Sequence, residues 1–524
     1  MDDTRSTLQI ATSFGKLRNA MYKYFSFIPC VAPFSQCRRR IANRIGLSRF
    51  FSSSFHFPYF TTASAPRRLL GVSSRFVLKP PATGSGNRHQ RSKLFSGTMD
   101  HLDGQAHLMI VSDLDCTMVD HDDPEDLSLL RFNALWESEY RHNSLLIFST
   151  GRSPATYQKL KTKKPLLTPD VTILSVGTEI FYGESMVPDD AWEHYLNHKW
   201  NLDIVMEETT KFPQLISQQA VDQRPHKVSY FVRNDHAEEV VKCLSERLAN
   251  RGLETKVIYS GGKCIDVLPL GAGKGEALQY LHDKLKKNGK LPIDTLVCGD
   301  SGNDTDLFTV PEVHGVVVSN AHDELLQWYA HNSKDYPKII HASERCASGI
   351  IQAIGHFGLG PKTSPRDVMD LSRWKTESFH PSQVVVKFYL IYERWRRAEV
   401  ENSDFTIQYM RSISHPNGII VLPSGVQCSL RERIDAVISC YGDKGGKRFR
   451  VWLDRVSFSQ ISSDAWLVKF DKWELSDAGR QCCLTTVLLN LKDEAETSPG
   501  PSLVHVHQTW MDGYAASDQT AWFF

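Results

Sequence analysis

Four consecutive apolar residues, Leu108, Met109, Ile110 and Val111, run straight into Ser112-Asp113-Leu114-Asp115-Cys116-Thr117. A strand whose residues are apolar without alternation is covered on both faces, as in the middle of a parallel sheet. Two carboxylates at i and i+2 follow it. Crevices of open α/β sheets lie at the carboxyl ends of strands. As the chain turns there, the first carboxylate can enter the crevice while the second faces it across a reacting centre. Such a pair suits a metal-assisted nucleophile and a general acid. Asp-x-Asp alone fits a solvated turn equally well, so the rest of the chain decides.

The text after Leu108 alternates strand and helix. A helix is expected over Asp126–Arg141, with Leu127, Leu130, Leu135 and Trp136 at helical spacing. Leu145–Ser149 reads as the next strand, ending in Thr150-Gly151-Arg152-Ser153-Pro154, and Val171–Val176 as a third, ending in Gly177-Thr178-Glu179. This rhythm predicts a parallel sheet with right-handed crossovers. It changes near 184–270, where a helix at Asp190–Trp200, strands at His226–Val232 and Cys264–Leu268 and a helix near Glu238–Asn250 suggest an inserted α+β module. Gly273-Lys274-Gly275 then opens a helix with Ala277, Leu278, Leu281 and Leu285 on one side. Strand Thr295–Gly299 runs into Asp300-Ser301-Gly302-Asn303-Asp304, residues 313–318 supply a further strand, and a helix at Gly349–Phe357 closes the domain.

Gly358–Arg366 has the composition of a linker. Beyond it, Pro381–Arg397 predicts a long amphipathic helix presenting Val384, Phe388, Ile391, Tyr392 and Trp395. Strands are expected at Gly418–Leu422, Phe449–Ser457, Ala465–Trp473, Cys483–Leu491 and Leu503–Trp510. One long helix followed by strands suggests a curved-sheet α+β domain over 361–524. His505 and His507, and the adjacent Cys482 and Cys483, read as packing or surface residues.

Charge is unevenly distributed. Residues 1–98 hold 16 Lys/Arg against Asp2 and Asp3, about +14, while the remainder is about −13 within a total of +1. An acidic folded part is a poor nucleic-acid binder. The acid-poor, Arg- and Ser-rich start reads as a transit-like or unstructured extension, or as sequence upstream of a start at Met99. Hydrophobic content of 41% and charged content of 23% are those of a globular protein. No apolar run reaches the roughly 18 residues of a membrane span. The 11 cysteines include no Cys-x-x-Cys pair, which favours reduced thiols.

A parallel sheet would bring Asp113/Asp115, Thr150-Gly151-Arg152, Gly273-Lys274-Gly275 and Gly299–Asp304 to one crevice. Together they carry the parts of phosphoryl transfer. Asp113 can attack phosphorus to give an aspartyl-phosphate; Asp115 can protonate the leaving oxygen and later activate water. An anionic nucleophile and a phosphate dianion repel one another, which calls for a divalent cation. Asp300 and Asp304 add hard oxygen ligands or orient metal waters, the Asp115 carbonyl is a further neutral ligand, and such donors favour Mg²⁺. Thr150 can donate its hydroxyl and its backbone N–H to phosphate, and Lys274 offsets charge in the transition state. A nucleotide P-loop at Lys274 is excluded, because Leu268 and Gly275 stand where it needs Gly and Ser/Thr.

The four motifs, in this order, resemble those of the haloacid dehalogenase-like phosphohydrolases. The resemblance implies a Rossmannoid parallel-sheet core over 106–360 with a cap inserted at about 184–270. It implies Asp113 as nucleophile, Asp115 as acid/base, phosphate contacts from Thr150, Gly151, Lys274 and Asn303, and Mg²⁺ held by Asp113, Asp115, Asp300 and Asp304. Cys116 departs from the pattern, since many members have Gly there. Ser112–Asp115 with Met118-Val119-Asp120-His121, Gly177–Glu179, Lys263–Pro269 and Gly299–Asp304 look like plant sucrose-phosphatases. The segment 361–524 resembles their C-terminal domain, whose fold is similar to nuclear transport factor 2. That resemblance implies hydrolysis of sucrose 6F-phosphate in the cytoplasm, or in plastids if 1–98 is a transit peptide. Possible partners are a sucrose-phosphate synthase and a second copy through the C-terminal domain. Two alternatives are another sugar phosphate as substrate and a catalytically reduced scaffold.

Overall fold

Strand β1 (Leu108–Ser112) is buried at every position. Met109 and Val111 point into one hydrophobic layer with Ala277, Leu278 and Leu281, while Leu108 and Ile110 point into the opposite layer with Leu129, Phe132, Ile350 and Ile354. Two covering layers are why the run lacks polar alternation. The computed structural model describes residues 101–524 apart from 103, 376–377, 493–499 and 516–521. The expectations for 1–98 lie outside the described residues.

Around β1 lie β2 (Leu145–Ser149), β3 (Val171–Leu174), β4 (Glu179–Tyr182) and β5 (Val187–Pro188) on one side. The cap contributes β6 (Ile216–Ser217), β7 (Val228–Phe231), β8 (Thr255–Ser260) and β9 (Cys264–Pro269). The chain then returns to the other side of β1 with β10 (Asp294–Gly299), β11 (His314–Val317) and β12 (Ile339–His341). The core sheet has the order β12-β11-β10-β1-β2-β3-β4-β5. It is parallel from β12 to β3, with Val111 opposite Val297 and Ile147, whereas β4 and β5 run antiparallel. Chain direction across the sheet reverses at β1, which opens a crevice at its carboxyl end.

The cap sheet is antiparallel, in the order β6-β7-β9-β8. Helix Asn234–Asn250 covers one face, with Ala237, Val240, Leu244 and Leu248 packed on Val228, Tyr230, Ile265 and Val267. Strand β8 was not expected from the sequence; all but its last residue are only half-buried, so Thr255–Ser260 has no uninterrupted apolar signal.

The C-terminal α+β part sets helices Pro381–Arg397, Asp404–Ser412 and Leu430–Ile438 against a six-stranded mixed sheet. Its strands are β13 (Ser414–Val421), β14 (Gln427–Ser429), β15 (Arg450–Ser462), β16 (Ala465–Ser476), β17 (Gly479–Lys492) and β18 (Gly500–Trp510), ordered β14-β13-β18-β17-β16-β15. Helix Pro381–Arg397 is buried almost all round rather than on one face, Lys387, Glu393, Arg394 and Arg396 included. Pairing makes this tolerable: Glu393 accepts from Arg366 at 2.9 and 2.8 Å, from Arg450 at 3.1 Å and from the Val451 N–H at 2.6 Å. The stretch 358–366 is held to the core, because Tyr140 donates to Pro361 O and Ser364 to Arg131 O.

The helix expected over 126–141 is a helix at Leu127–Leu135 followed by one π-helical turn, Trp136–Tyr140. Leu127 is exposed. That turn buries Glu137, whose Oε2 accepts from the Val456 N–H at 2.8 Å across to the C-terminal sheet. Burial, together with the charge of Asp454 and against the attraction of Arg141, lifts this carboxyl from 4.5 to about 8. Between those values the folded state holds a proton that the unfolded chain has released, so stability falls as pH rises. Glu137→Gln is expected to flatten that fall by up to ~1.4 kcal/mol per pH unit. Urea melts from pH 5.5 to 7.5 measure it, and an unchanged slope would show Glu137 already ionised.

Candidate active site

Asp113 continues the sheet pairing beyond β1, its N–H donating to Cys298 O at 3.0 Å. Its carboxylate is buried at the base of a cavity of about 400 Å³ lined by core loops and by the cap. Lys274 begins the helix Lys274–Lys287 and is fully buried. Its Nζ donates to Asp113 Oδ1 and to Asp304 Oδ1, both at 2.7 Å. The two carboxylates keep Lys274 protonated well above the usual lysine range although burial opposes this. A close crossing sets the position of this helix: a Cβ on Gly177 would lie 2.1 Å from Gly273 O. Both glycines have positive φ, 85° and 139°, so no other residue fits this contact unstrained.

The acidic loop after β10 is built on Asp304. Its Oδ2 accepts from the N–H groups of Asp300 and Ser301 at 3.1 and 3.0 Å. Asp300 Oδ1 accepts from the Thr117 hydroxyl at 3.0 Å. Carboxylate oxygens of Asp113, Asp300 and Asp304 lie within 4.8 Å of one another. Burial, with the charges of Asp304 and Asp115, overrides Lys274 and lifts Asp113 to about 7; burial and the same crowding push Asp300 well above its ordinary value. Three buried, crowded oxygen donors, two of them bonded to Lys274, fit a small hard cation.

Asp115 faces elsewhere. Arg152 Nε donates to its Oδ2 at 2.6 Å and Nη2 to its Oδ1 at 2.7 Å, and His121 Nε2 lies 2.7 Å from Oδ1. Burial would raise Asp115, but His121 and Arg152 hold it at about 2. The Asp115 carboxylate is therefore not grouped with the other three acids. Cys116 adopts φ 60°, its carbonyl accepting from Asn320 Nδ2 at 2.7 Å and from Cys346 Sγ at 3.2 Å. The expected departure from glycine thus sits in the left-handed region where glycine is easiest, with its carbonyl held by those donors.

Thr150, Gly151 and Asn303 line the cavity. One expectation fails: the Thr150 N–H is not free for a ligand, because it donates to Ile173 O at 2.9 Å. Its hydroxyl accepts from the Arg152 N–H at 3.3 Å. From the cap, Lys227 donates to Gly151 O at 3.1 Å and lies 3.5 Å from Asp266. Arg152, Thr117, His121, Lys227 and Asp266 were given no role from the sequence. Arg152 carried a signal in its place two residues after Thr150, and His121 and Asp266 lie in stretches that carry the family resemblance. His505 and His507 stand side by side on β18, in no group of three metal-ligating side chains among the described residues. Cys482 and Cys483 are buried.

A parallel sheet with its switch at β1, Asp-x-Asp at that strand's end, a buried lysine and an acidic loop define a phosphatase of the haloacid dehalogenase-like class. The family profile described as sucrose-6F-phosphate phosphohydrolase matches residues 106–358, and that described as sucrose-6-phosphate phosphohydrolase C-terminal matches 381–512. The chain is 60% identical over 426 residues to sucrose-phosphatase 1 of Nicotiana tabacum, covering 81% of this chain and 100% of the relative. It belongs to the sucrose-phosphatase family. Among solved structures it is similar to the sucrose-phosphatase of Synechocystis sp. in complex with sucrose and phosphate, at 35% identity and a TM-score of 0.44, over 48% of this chain and 99% of that one. It also matches an NTF-2-like protein of Pseudomonas aeruginosa, at 18% identity and a TM-score of 0.22, over 24% of this chain and 94% of that one.

Proposed function

We propose that the chain hydrolyses sucrose 6F-phosphate to sucrose and phosphate through an aspartyl-phosphate on Asp113. The observation that carries this reading is the buried Asp113–Lys274–Asp304 group, whose Asp113 lines a cavity that cap residues also line, in a chain of this family. Lys274 fixes one oxygen of Asp113 and leaves the other to attack phosphorus. The Thr150 hydroxyl, Gly151, Lys274 and Asn303 hold phosphate oxygens. Asp115 gives a proton to the departing sugar oxygen and then takes one from the water that cleaves the acyl-phosphate. Residues 184–270, as the cap on a core of 106–360, supply the sugar contacts. Residues 361–524 form the third unit, through which self-association or contact with a sucrose-phosphate synthase would occur. Unpaired cysteines throughout the described residues support a cytoplasmic setting.

Asp113, Asp300 and Asp304, with the Asp115 carbonyl, would hold Mg²⁺. Bound there, the ion would neutralise charge between nucleophile and phosphate. Chelation is expected to abolish turnover. Added Mg²⁺ should raise the melting temperature, and Asp300→Asn should weaken that shift. Full activity in excess chelator would remove the ion from the reading. Phosphate release from a panel of sugar phosphates tests the whole proposal, and preference for a sugar other than sucrose 6F-phosphate would overturn the substrate.

A further inference from the structure

Strand β15 is the outermost strand of the C-terminal sheet and is 13 residues long. An edge strand carries a row of N–H and C=O groups that face away from its sheet. Over the first half of β15 such groups are occupied. The Val451 N–H donates to Glu393 at 2.6 Å, and the Val451 carbonyl accepts from Arg366 at 2.7 Å. The Val456 N–H donates to Glu137 at 2.8 Å. From Ser457 onward that cover stops. Among the described residues, the backbone of Ser457–Ser462 pairs only with β16, on its inner side.

The open stretch also lacks the chemical deterrents to strand addition. Ser457-Phe458-Ser459-Gln460-Ile461-Ser462 contains no charge and no proline, and all but Phe458 are exposed. Its register with β16 is regular from Ser457 to Gln460. Leu467, opposite Ser459 on β16, is exposed as well, so Ile461 and Leu467 put two large apolar side chains at this margin. The other edge of the sheet, β14, is only three residues long.

An uncharged strand of this kind fits a second copy of itself. In antiparallel pairing across a two-fold axis normal to the sheet, the axis leaves the two faces unchanged. Each residue then meets one an even number of positions away. An axis at Ser459 sets Ser457 against Ile461 and Phe458 against Gln460 of the second copy. It stops short of Val456, whose N–H is spent on Glu137. No like charges meet there, in a chain whose part after residue 98 is acidic overall.

We propose that Ser457–Ile461 is the surface through which two copies of this chain associate, each adding its β15 to the other's sheet in antiparallel pairing about Ser459. This rests on the reading that places self-association in 361–524 and names its surface; it is independent of the phosphatase chemistry. So short a pairing buries far less than the roughly 1,600 Å² of a standard interface, so the association is weak and follows protein concentration.

Sedimentation velocity of the full chain is expected to show monomer giving way to dimer between about 1 and 100 μM. As the dimer forms, the amides of Ser457–Ile461 should exchange more slowly with deuterium. Ser459→Glu and Ser459→Lys each set like charges against one another across the axis and should weaken the dimer about fivefold or more. Mixing the two variants sets opposite charges together and should restore it. Each variant should keep its melting temperature and its phosphate release per chain, because Ser459 is exposed and lines no part of the cavity. A dimer indifferent to both substitutions would place self-association elsewhere in 361–524 and overturn the edge alone. A chain that stays monomeric throughout would leave the edge to an extended segment of another protein, and would overturn both the edge and the self-association it rests on.

Discussion

Asp113→Asn is expected to fold, to bind substrate and to lose about 10⁴-fold or more in kcat, ~5 kcal/mol of barrier. The substitution keeps size and an oxygen that can accept from Lys274 Nζ, now at 2.7 Å. It removes the negative charge that attacks phosphorus. Because that charge is buried beside Asp300 and Asp304 and its carboxyl is already lifted to about 7, its removal should not destabilise the protein when no cation is added. The melting temperature in chelator should equal or exceed that of the wild type, while the Mg²⁺-induced rise shrinks. The two readouts separate a lost nucleophile from a damaged fold. A folded Asp113→Asn protein with more than a few per cent of wild-type turnover would move the nucleophile elsewhere.

Lys274→Met should behave in the opposite way, losing stability as well as turnover. Lys274 is fully buried, and Asp113 and Asp304 both depend on its ammonium. Removing one partner of a buried ion pair leaves uncompensated charge and costs about 3–5 kcal/mol. Part of that cost falls away if Asp113 takes up a proton, so the variant should be more stable at pH 6 than at pH 8. Mg²⁺ should rescue stability more strongly than in the wild type, because it replaces the missing positive charge, without restoring phosphate release. Thermal melts at both pH values, with and without Mg²⁺, measure this. A variant as stable as wild type in chelator at pH 8 would mean that the two carboxylates share a proton and that Lys274 adds little.

The parts that were legible in the sequence are those in which burial is complete or covers one clean face. Strand β1 and the helix face of Ala277, Leu278, Leu281 and Leu285 announced themselves in this way. Chain order did the same for the acidic loop, since a parallel sheet can only deliver strand ends to one side. Half-buried elements were silent: helix Asp323–Asn332 buries only Leu325. Helix Pro381–Arg397 misled in the other direction, because its charged residues are buried through partners such as Arg366 and Arg450 that lie far away in sequence. At the site, residue identity fixed which groups gather but not where side chains point. The turning of Asp115 toward Arg152 depends on a rotamer and a partner 37 residues away. The spent Thr150 N–H depends on how far the β2–β3 pairing extends.

The antiparallel hairpin of β4 and β5 also bears on how the molecule behaves in a crowded solution. A parallel sheet ending at β3 would offer a row of unpaired backbone groups to any passing extended chain. Here the edge is instead a two-residue strand, Val187–Pro188, and Pro188 has no N–H to donate. The opposite edge, β12, is three residues long. Short, donor-poor margins of this kind discourage strand addition between copies. Extending β5, or replacing Pro188 with a β-branched residue, would therefore trade colloidal stability for a more regular sheet.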